Sequence, residues 1–227
     1  MTWDDGTVNA TAHWPGYFIS FEGIDGVGKS THVGLLREAL QQQGLRPVTV
    51  TPHETAVGAW MWDYVLHHTQ TEIDPWVEAL LFNAARAELL HERIMPALKD
   101  GAVVIADRFA DSTIAFQGGG RGLPVDKLRA LHHDACHDIW PDLTILLTLP
   151  RDVAAGRQST TRESLDRIET ASEAFHQAVA RQFHTIAAEE PGRVLPIDAD
   201  RETDVVAESV REAVLARLPE RLRPVSR

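Results

Sequence analysis

One octapeptide constrains this chain more than any other: Gly23-Ile24-Asp25-Gly26-Val27-Gly28-Lys29-Ser30. It fits the spacing G-x-x-x-x-G-K-[ST]. It follows a short aromatic and β-branched run, 17–21, and opens a helical pattern, 29–43, that stops at Gly44. Glycines allow a tight loop whose backbone N–H groups point inward, and the helix N-terminus adds partial positive charge. A strand–loop–helix of this kind is a phosphate cradle. Lys29 is expected to reach the β- and γ-phosphates of a nucleoside triphosphate, and the Ser30 hydroxyl to ligate Mg²⁺. Gly23 through Thr31 make up the expected ATP-binding segment.

The rest of the chain repeats the same alternation. Strands are expected at 47–51, 102–106, 143–149 and 194–197, and helical patterns at 75–99, 124–138, 168–189 and 202–218. Asp74-Pro75 is a helix-start signal. Strands alternating with helices imply right-handed crossovers and a parallel sheet covered on both faces, an α/β fold. No repeat or linker divides the chain. It reads as one domain, 16–218, between extensions expected to be flexible at 1–15 and 219–227.

Composition narrows the function. The 227 residues carry 22 Lys plus Arg against 33 Asp plus Glu, a net charge of −11, which disfavours a nucleic-acid coat. A single small phosphorylated ligand is still compatible, because one pocket can be basic in an acidic molecule. No apolar run reaches a membrane span, and 1–16 lacks the features of a signal peptide. The one cysteine, Cys136, excludes an intrachain disulfide and a cysteine-rich zinc site. The cytoplasm is the expected compartment. A guanine-reading Asn-Lys-x-Asp is absent, since Asn9 and Asn83 are the only asparagines.

Val103-Val104-Ile105-Ala106-Asp107-Arg108-Phe109 puts an acid and a base at the C-terminal end of a strand. In a parallel sheet that edge also carries the phosphate loop. Asp107 is expected to hold Mg²⁺, directly or through water, and Arg108 to grip a phosphate. A surface ion pair is the competing reading.

The flanking residues carry a more specific likeness. Phe21 to Gly26, the segment Leu81-Phe82-Asn83-Ala84-Ala85-Arg86, the run from Asp107 through Phe116-Gln117 to Gly122, and Asp166-Arg167-Ile168-Glu169 followed by Phe175-His176 together resemble bacterial thymidylate kinases. The likeness covers about 17–218 in the right order. It implies a P-loop nucleoside monophosphate kinase fold with a five-stranded parallel sheet, ATP and dTMP as substrates, Mg²⁺, and a homodimer. By this resemblance Phe82 stacks on thymine, Arg86 hydrogen-bonds its O4, and Thr113 and Gln117 sit near the base, Thr113 the stronger candidate. Phe82 and Arg86 are spaced i, i+4 and share a helix face; without the motif, core packing would be the default for Phe82. Phe116 matches an aromatic that crowds the 2′ position, Arg108 would hold the acceptor monophosphate, and Asp25 would approach the 3′-hydroxyl or the acceptor phosphate.

Phosphoryl transfer needs positive charge and exclusion of water. The segment 151–166 is the expected lid, a mobile Arg-bearing loop. The phosphate loop carries no arginine, so the resemblance implies the type whose catalytic arginine lies in the lid. Arg162 is the first choice for that role and Arg157 is expected nearer the adenine. Arg151 reads as a solvated residue, Asp198-Ala199 as the border of the adenine site, and Arg167 and Glu169 as braces for the lid.

The likeness breaks at one loop. The family's Arg-Glu-Pro-Gly-Gly-Thr is replaced here by Val50-Thr51-Pro52-His53-Glu54-Thr55. Pro52 and His53 are the expected acceptor contacts there, with His53 supplying part of the missing donor capacity. Glu54 would repel a phosphate if it pointed inward. Three readings follow: transfer from ATP to dTMP, transfer to a modified pyrimidine nucleotide, and nucleotide binding without turnover.

Overall fold

The computed structural model describes residues 14–67, 72–159 and 166–223. Five strands, β1 (Tyr17–Glu22), β2 (Pro47–Val50), β3 (Val103–Asp107), β4 (Leu143–Thr148) and β5 (Val194–Asp198), form one sheet. Its order is β2-β3-β1-β4-β5 and every pairing is parallel. Every residue of β1 is buried, as expected for a central strand covered on both faces. Successive side chains alternate between the faces. Ile19, Phe21 and Ile105 pack with one group of helices, while Phe18, Val104 and Ala106 pack with Leu89, Ile94 and Leu98.

The helices are α1 (Lys29–Gln42), α2 (Ala56–His67), α3 (Pro75–Leu89), α4 (Met95–Lys99), α5 (Ala110–Thr113), α6 (Val125–Cys136), α7 (Arg151–Ser159), α8 (Glu173–Glu189) and α9 (Thr203–Arg217). Four differences from the sequence reading have local causes. The expected helix 75–99 is α3 and α4 joined by a π-turn over Leu90–Ile94, where Met95 N–H bonds Leu90 O and Pro96 has no N–H to give. Helix α2 went unread because Trp60, Trp62 and Tyr64 follow each other at alternate positions, which leaves no helical period to detect. Helix α8 starts at its Ser172 cap, whose hydroxyl accepts from Phe175 N, because Asp166 takes the Ile168 and Glu169 N–H groups into a separate turn. The first part of the expected lid loop, Arg151–Ser159, is helical.

Of the extension expected at 219–227, the described part makes one 3₁₀ turn, Glu220–Leu222, and Arg221 donates to the carbonyls of Trp14 and Pro15.

Candidate active site

The order of strands turns back at β1, with β3 on one side and β4 on the other, and the carboxyl edge there opens into a cavity. The phosphate loop leaves β1 at this edge. A Cβ on Gly23 (φ +136°) would stand 2.4 Å from Leu147 O, and one on Gly26 (φ +85°) 2.3 Å from Ala154 O. Only glycine fits either place. Lys29 is 8% exposed and curls back on the loop, donating to Ile24 O (2.9 Å) and Gly23 O (3.3 Å), with Asp25 at 3.7 Å. Burial, and then the nearby Arg108, lower its pKa to about 8. Ser30 Oγ donates to Asp107 Oδ2 at 2.6 Å.

Arg108 adopts a left-handed backbone, φ +74°, which costs energy for any residue but glycine and is tolerated where the surroundings over-determine it. Here they do. Its N–H bonds Phe21 O, Nη1 donates to Gly23 O (3.0 Å) and Ser112 Oγ (3.1 Å), and Nη2 pairs with Asp25. Burial disfavours its charge, but Asp25, Glu22 and Asp107 outweigh that and hold its pKa above the ordinary value. Behind it lies Glu22, fully buried, accepting from Phe109 N and Ser112 Oγ at 2.6 Å each. Burial and then Asp111 raise its pKa. The sequence reading gave Glu22 and Ser112 no role; the signal was their place inside the Phe21-Glu22-Gly23 and Asp107 to Gly122 motifs.

At the other end, α3 presents Phe82 and Arg86 to the cavity. Arg86 is 7% exposed and gives Nη1 to Asn83 Oδ1 (2.9 Å) and Nη2 to Thr113 Oγ1 (2.5 Å) and Phe109 O (3.2 Å). Burial lowers its pKa. Thr113 ends α5, and a π-turn over Ile114–Gly120 carries Phe116 and Gln117 into the wall. Phe116 lies under the Arg108 guanidinium, 5.0 Å from ring centre to charge.

The divergent loop resolves in detail. Glu54 accepts from Thr51 N (3.0 Å) and faces Arg93 at 3.6 Å, so the inward carboxylate that its position allowed does not occur. Pro52 and His53 line the cavity, the His53 ring standing 5.3 Å from Trp62 and 3.3 Å from Thr51 Oγ1.

Arg157 lines the cavity and gives Nη1 to Ala199 O at 3.2 Å, which ties α7 to the loop after β5. Arg162 lies outside the described residues. Arg151 faces Glu173 at 3.7 Å. Arg167 donates to Glu78 and to Val65 O, while Glu169 caps Asp166 N, so both fix the turn that precedes α8. Arg201 and Thr203, unassigned from sequence, also line the cavity.

The phosphate loop, Asp107, Arg108, Phe82, Arg86 and Arg157 line one cavity of about 790 Å³. A phosphate loop, a hydroxyl–carboxylate pair beside it and a cavity that runs on past Arg108 to Phe82 and Arg86 define a P-loop nucleotide kinase. The family model described as "Thymidylate kinase" matches residues 21–210. The chain is 42% identical over 195 residues to the thymidylate kinase of Thermomicrobium roseum, covering 86% of this chain and 92% of that one. It is 41% identical over 207 residues to that of Trichlorobacter lovleyi (88% and 98%), and 42% over 197 residues to that of Clavibacter sepedonicus (86% and 93%). The chain belongs to the thymidylate kinase family.

Proposed function

We propose that the protein transfers the γ-phosphoryl group of ATP to dTMP, giving ADP and dTDP. The observation that carries this reading is the continuity of the cavity, from Arg157 and Ala199 past Lys29 and Arg108 to Phe82 and Arg86. Donor and acceptor then meet with their phosphates facing, and positioning supplies most of the rate.

Mg²⁺ fits the groups present. Ser30 and Asp107 offer hard oxygen donors 2.6 Å apart, and no cluster of three or more His, Cys, Asp or Glu suited to a metal occurs among the described residues. That suits an ion that leans on phosphates and water for its remaining ligands. When bound, the ion supplies charge neutralisation at the transferring group. Lys29 turns from the loop carbonyls to the β- and γ-phosphate oxygens. Arg108 exchanges Asp25 for the acceptor phosphate, whose ionised oxygen attacks without a general base. Phe82 stacks on thymine, Arg86 donates to O4, Thr113 and Gln117 border the ring, and Phe116 narrows the 2′ side. Pro52 and His53 close the acceptor loop. The lid, 151–166, supplies Arg157 at the adenine and Arg162 at the migrating phosphoryl group, and excludes water.

The same reading makes the chain a homodimer. Helices α2 and α3 pack together and leave Trp60 (58% exposed), Leu80 (51%) and Val77 (44%) bare, an apolar surface that a second copy would cover. No helix among the described residues is long and apolar enough to cross a membrane, and the free Cys136 is buried; work in the cytoplasm agrees with both.

The test is a coupled assay with ATP and Mg²⁺ against dTMP, dUMP, 5-substituted dUMP and thymidine. The highest kcat/KM is expected for dTMP. Preference for another acceptor, or nucleotide binding with no product from any, would overturn the reading. Light scattering on the eluting peak should give twice the monomer mass.

A further inference from the structure

Glu78, in the first turn of α3, is fully buried, and its bond from Arg167 is only one of those it accepts. Its oxygens collect four donors. Gln117 Nε2 (2.8 Å) and Arg121 Nε (3.2 Å) reach Oε1, while Arg121 Nη2 (3.1 Å) and Arg167 Nη2 (2.5 Å) reach Oε2. Arg167 is itself tied to the end of α2 through Val65 O and Leu66 O. The carboxylate is therefore pinned from two sides before Gln117 approaches it.

A carboxylate gripped by two guanidiniums offers only acceptors, so the amide of Gln117 must present its NH₂ to it. That settles the amide flip. The other end, Oε1, has no hydrogen-bond partner among the described residues, and Gln117 lines the cavity alongside Arg86 and Thr113. We infer that Glu78 is a positioning residue for acceptor recognition: it holds the Gln117 carbonyl oxygen toward the cavity to accept from a pyrimidine ring N3–H. Beside an Arg86 that donates to a ring carbonyl, this pattern takes a base with an N3–H next to a C4 carbonyl, thymine or uracil. It rejects cytosine, whose N3 is an acceptor and whose C4 carries an amine. A mismatch of this kind leaves buried polar groups unpaired, which discriminates strongly.

The inference rests on the acceptor reading above, so wild-type turnover of dTMP is measured first; absence of turnover there would fail that reading. The ratio of kcat/KM for dTMP over dCMP is then compared in wild type, Glu78→Gln, Gln117→Leu and the double variant, with folding followed by thermal melting. Glu78→Gln can donate where the carboxylate accepted and frees Gln117 to flip, so the ratio should fall at least about tenfold. Gln117→Leu should lower it as much, and the double variant no further than Gln117→Leu alone. General damage to the fold slows both acceptors alike and leaves the ratio in place. A wild-type ratio in either folded variant, or a double variant well below Gln117→Leu, overturns the inference. If Glu78→Gln does not fold, Glu78→Asp, whose shorter side chain draws the carboxylate away from Gln117, takes its place, and a wild-type ratio there overturns the inference in the same way.

Discussion

Ser30 Oγ and Asp107 Oδ2 stand 2.6 Å apart, joining the first turn of α1 to the last residue of β3. The two residues are far apart in the chain and meet because β1 and β3 are neighbours in register, with Phe21 opposite Asp107. The phosphate loop and the second carboxylate are thereby delivered to one point.

Asp107→Asn keeps the size of the side chain and removes its charge from that point. The kcat is expected to fall about 100-fold or more, in line with the loss of one preorganised electrostatic group. Raising Mg²⁺ should recover part of the rate. Initial rates across a Mg²⁺ titration check this, and a variant with the wild-type metal dependence would remove Asp107 from the metal site.

The lowered pKa of Lys29, about 8 against an ordinary 10.5, gives ATP affinity a pH dependence of definite sign. Phosphates favour the ammonium, so the bound form keeps its proton to higher pH. Affinity should hold below pH 8 and weaken as pH rises through it, with net proton uptake on binding. Calorimetric titrations at pH 7 and 9 in two buffers of different ionisation enthalpy measure both effects. Lys29→Ala should lose turnover by about 100-fold at least and lose the pH dependence with it.

Arg86→Ala removes a buried guanidinium that satisfies Asn83, Thr113 and Phe109 O. KM for dTMP is expected to rise at least about tenfold while KM for ATP stays within about twofold, because the site loses one acceptor-base contact and no donor contact. Orphaning its partners should also cost about 1–3 kcal/mol of stability. Steady-state kinetics with each substrate varied in turn, beside a melt, separate the two effects.

His132 lies outside the cavity and predicts the acid limb of stability. It is 1% exposed, its Nδ1 has no hydrogen-bond partner among the described residues, and burial followed by Arg86 lowers its pKa to about 3. The unfolded chain takes up a proton near pH 6.5 and the folded chain does not until about 3. Stability from this site is thus complete above pH 6.5 and falls as pH drops below it, by at most about 1.4 kcal/mol per pH unit. Urea denaturation of wild type and His132→Gln at pH 5 and 7.5 should show a smaller pH difference in the variant.

Much of the fold was legible because it is written in short-range pattern. All five strands were found within one or two residues of their ends, since buried parallel strands read as apolar runs. Elements without a period escaped: α2 with its apolar faces, and the π-turn over Ile114–Gly120, which no residue spacing announces. The candidate site divides in the same way. Gly23 to Ser30, Asp107-Arg108 and Phe82/Arg86 stood out as motifs. Glu22 lay inside such a motif without a role and Glu78 lay outside them, because a buried carboxylate has meaning only through the donors brought to it.

By itself, then, the sequence determined the phosphate loop, the parallel α/β class and the family, all of which depend on residues close together in the chain. Tertiary structure alone decided that Glu54 turns to Arg93 and that Glu78 gathers Gln117, Arg121 and Arg167. Side-chain direction in those pairs is set by packing between segments tens of residues apart, and linear spacing carries no record of which donor a buried carboxylate will meet.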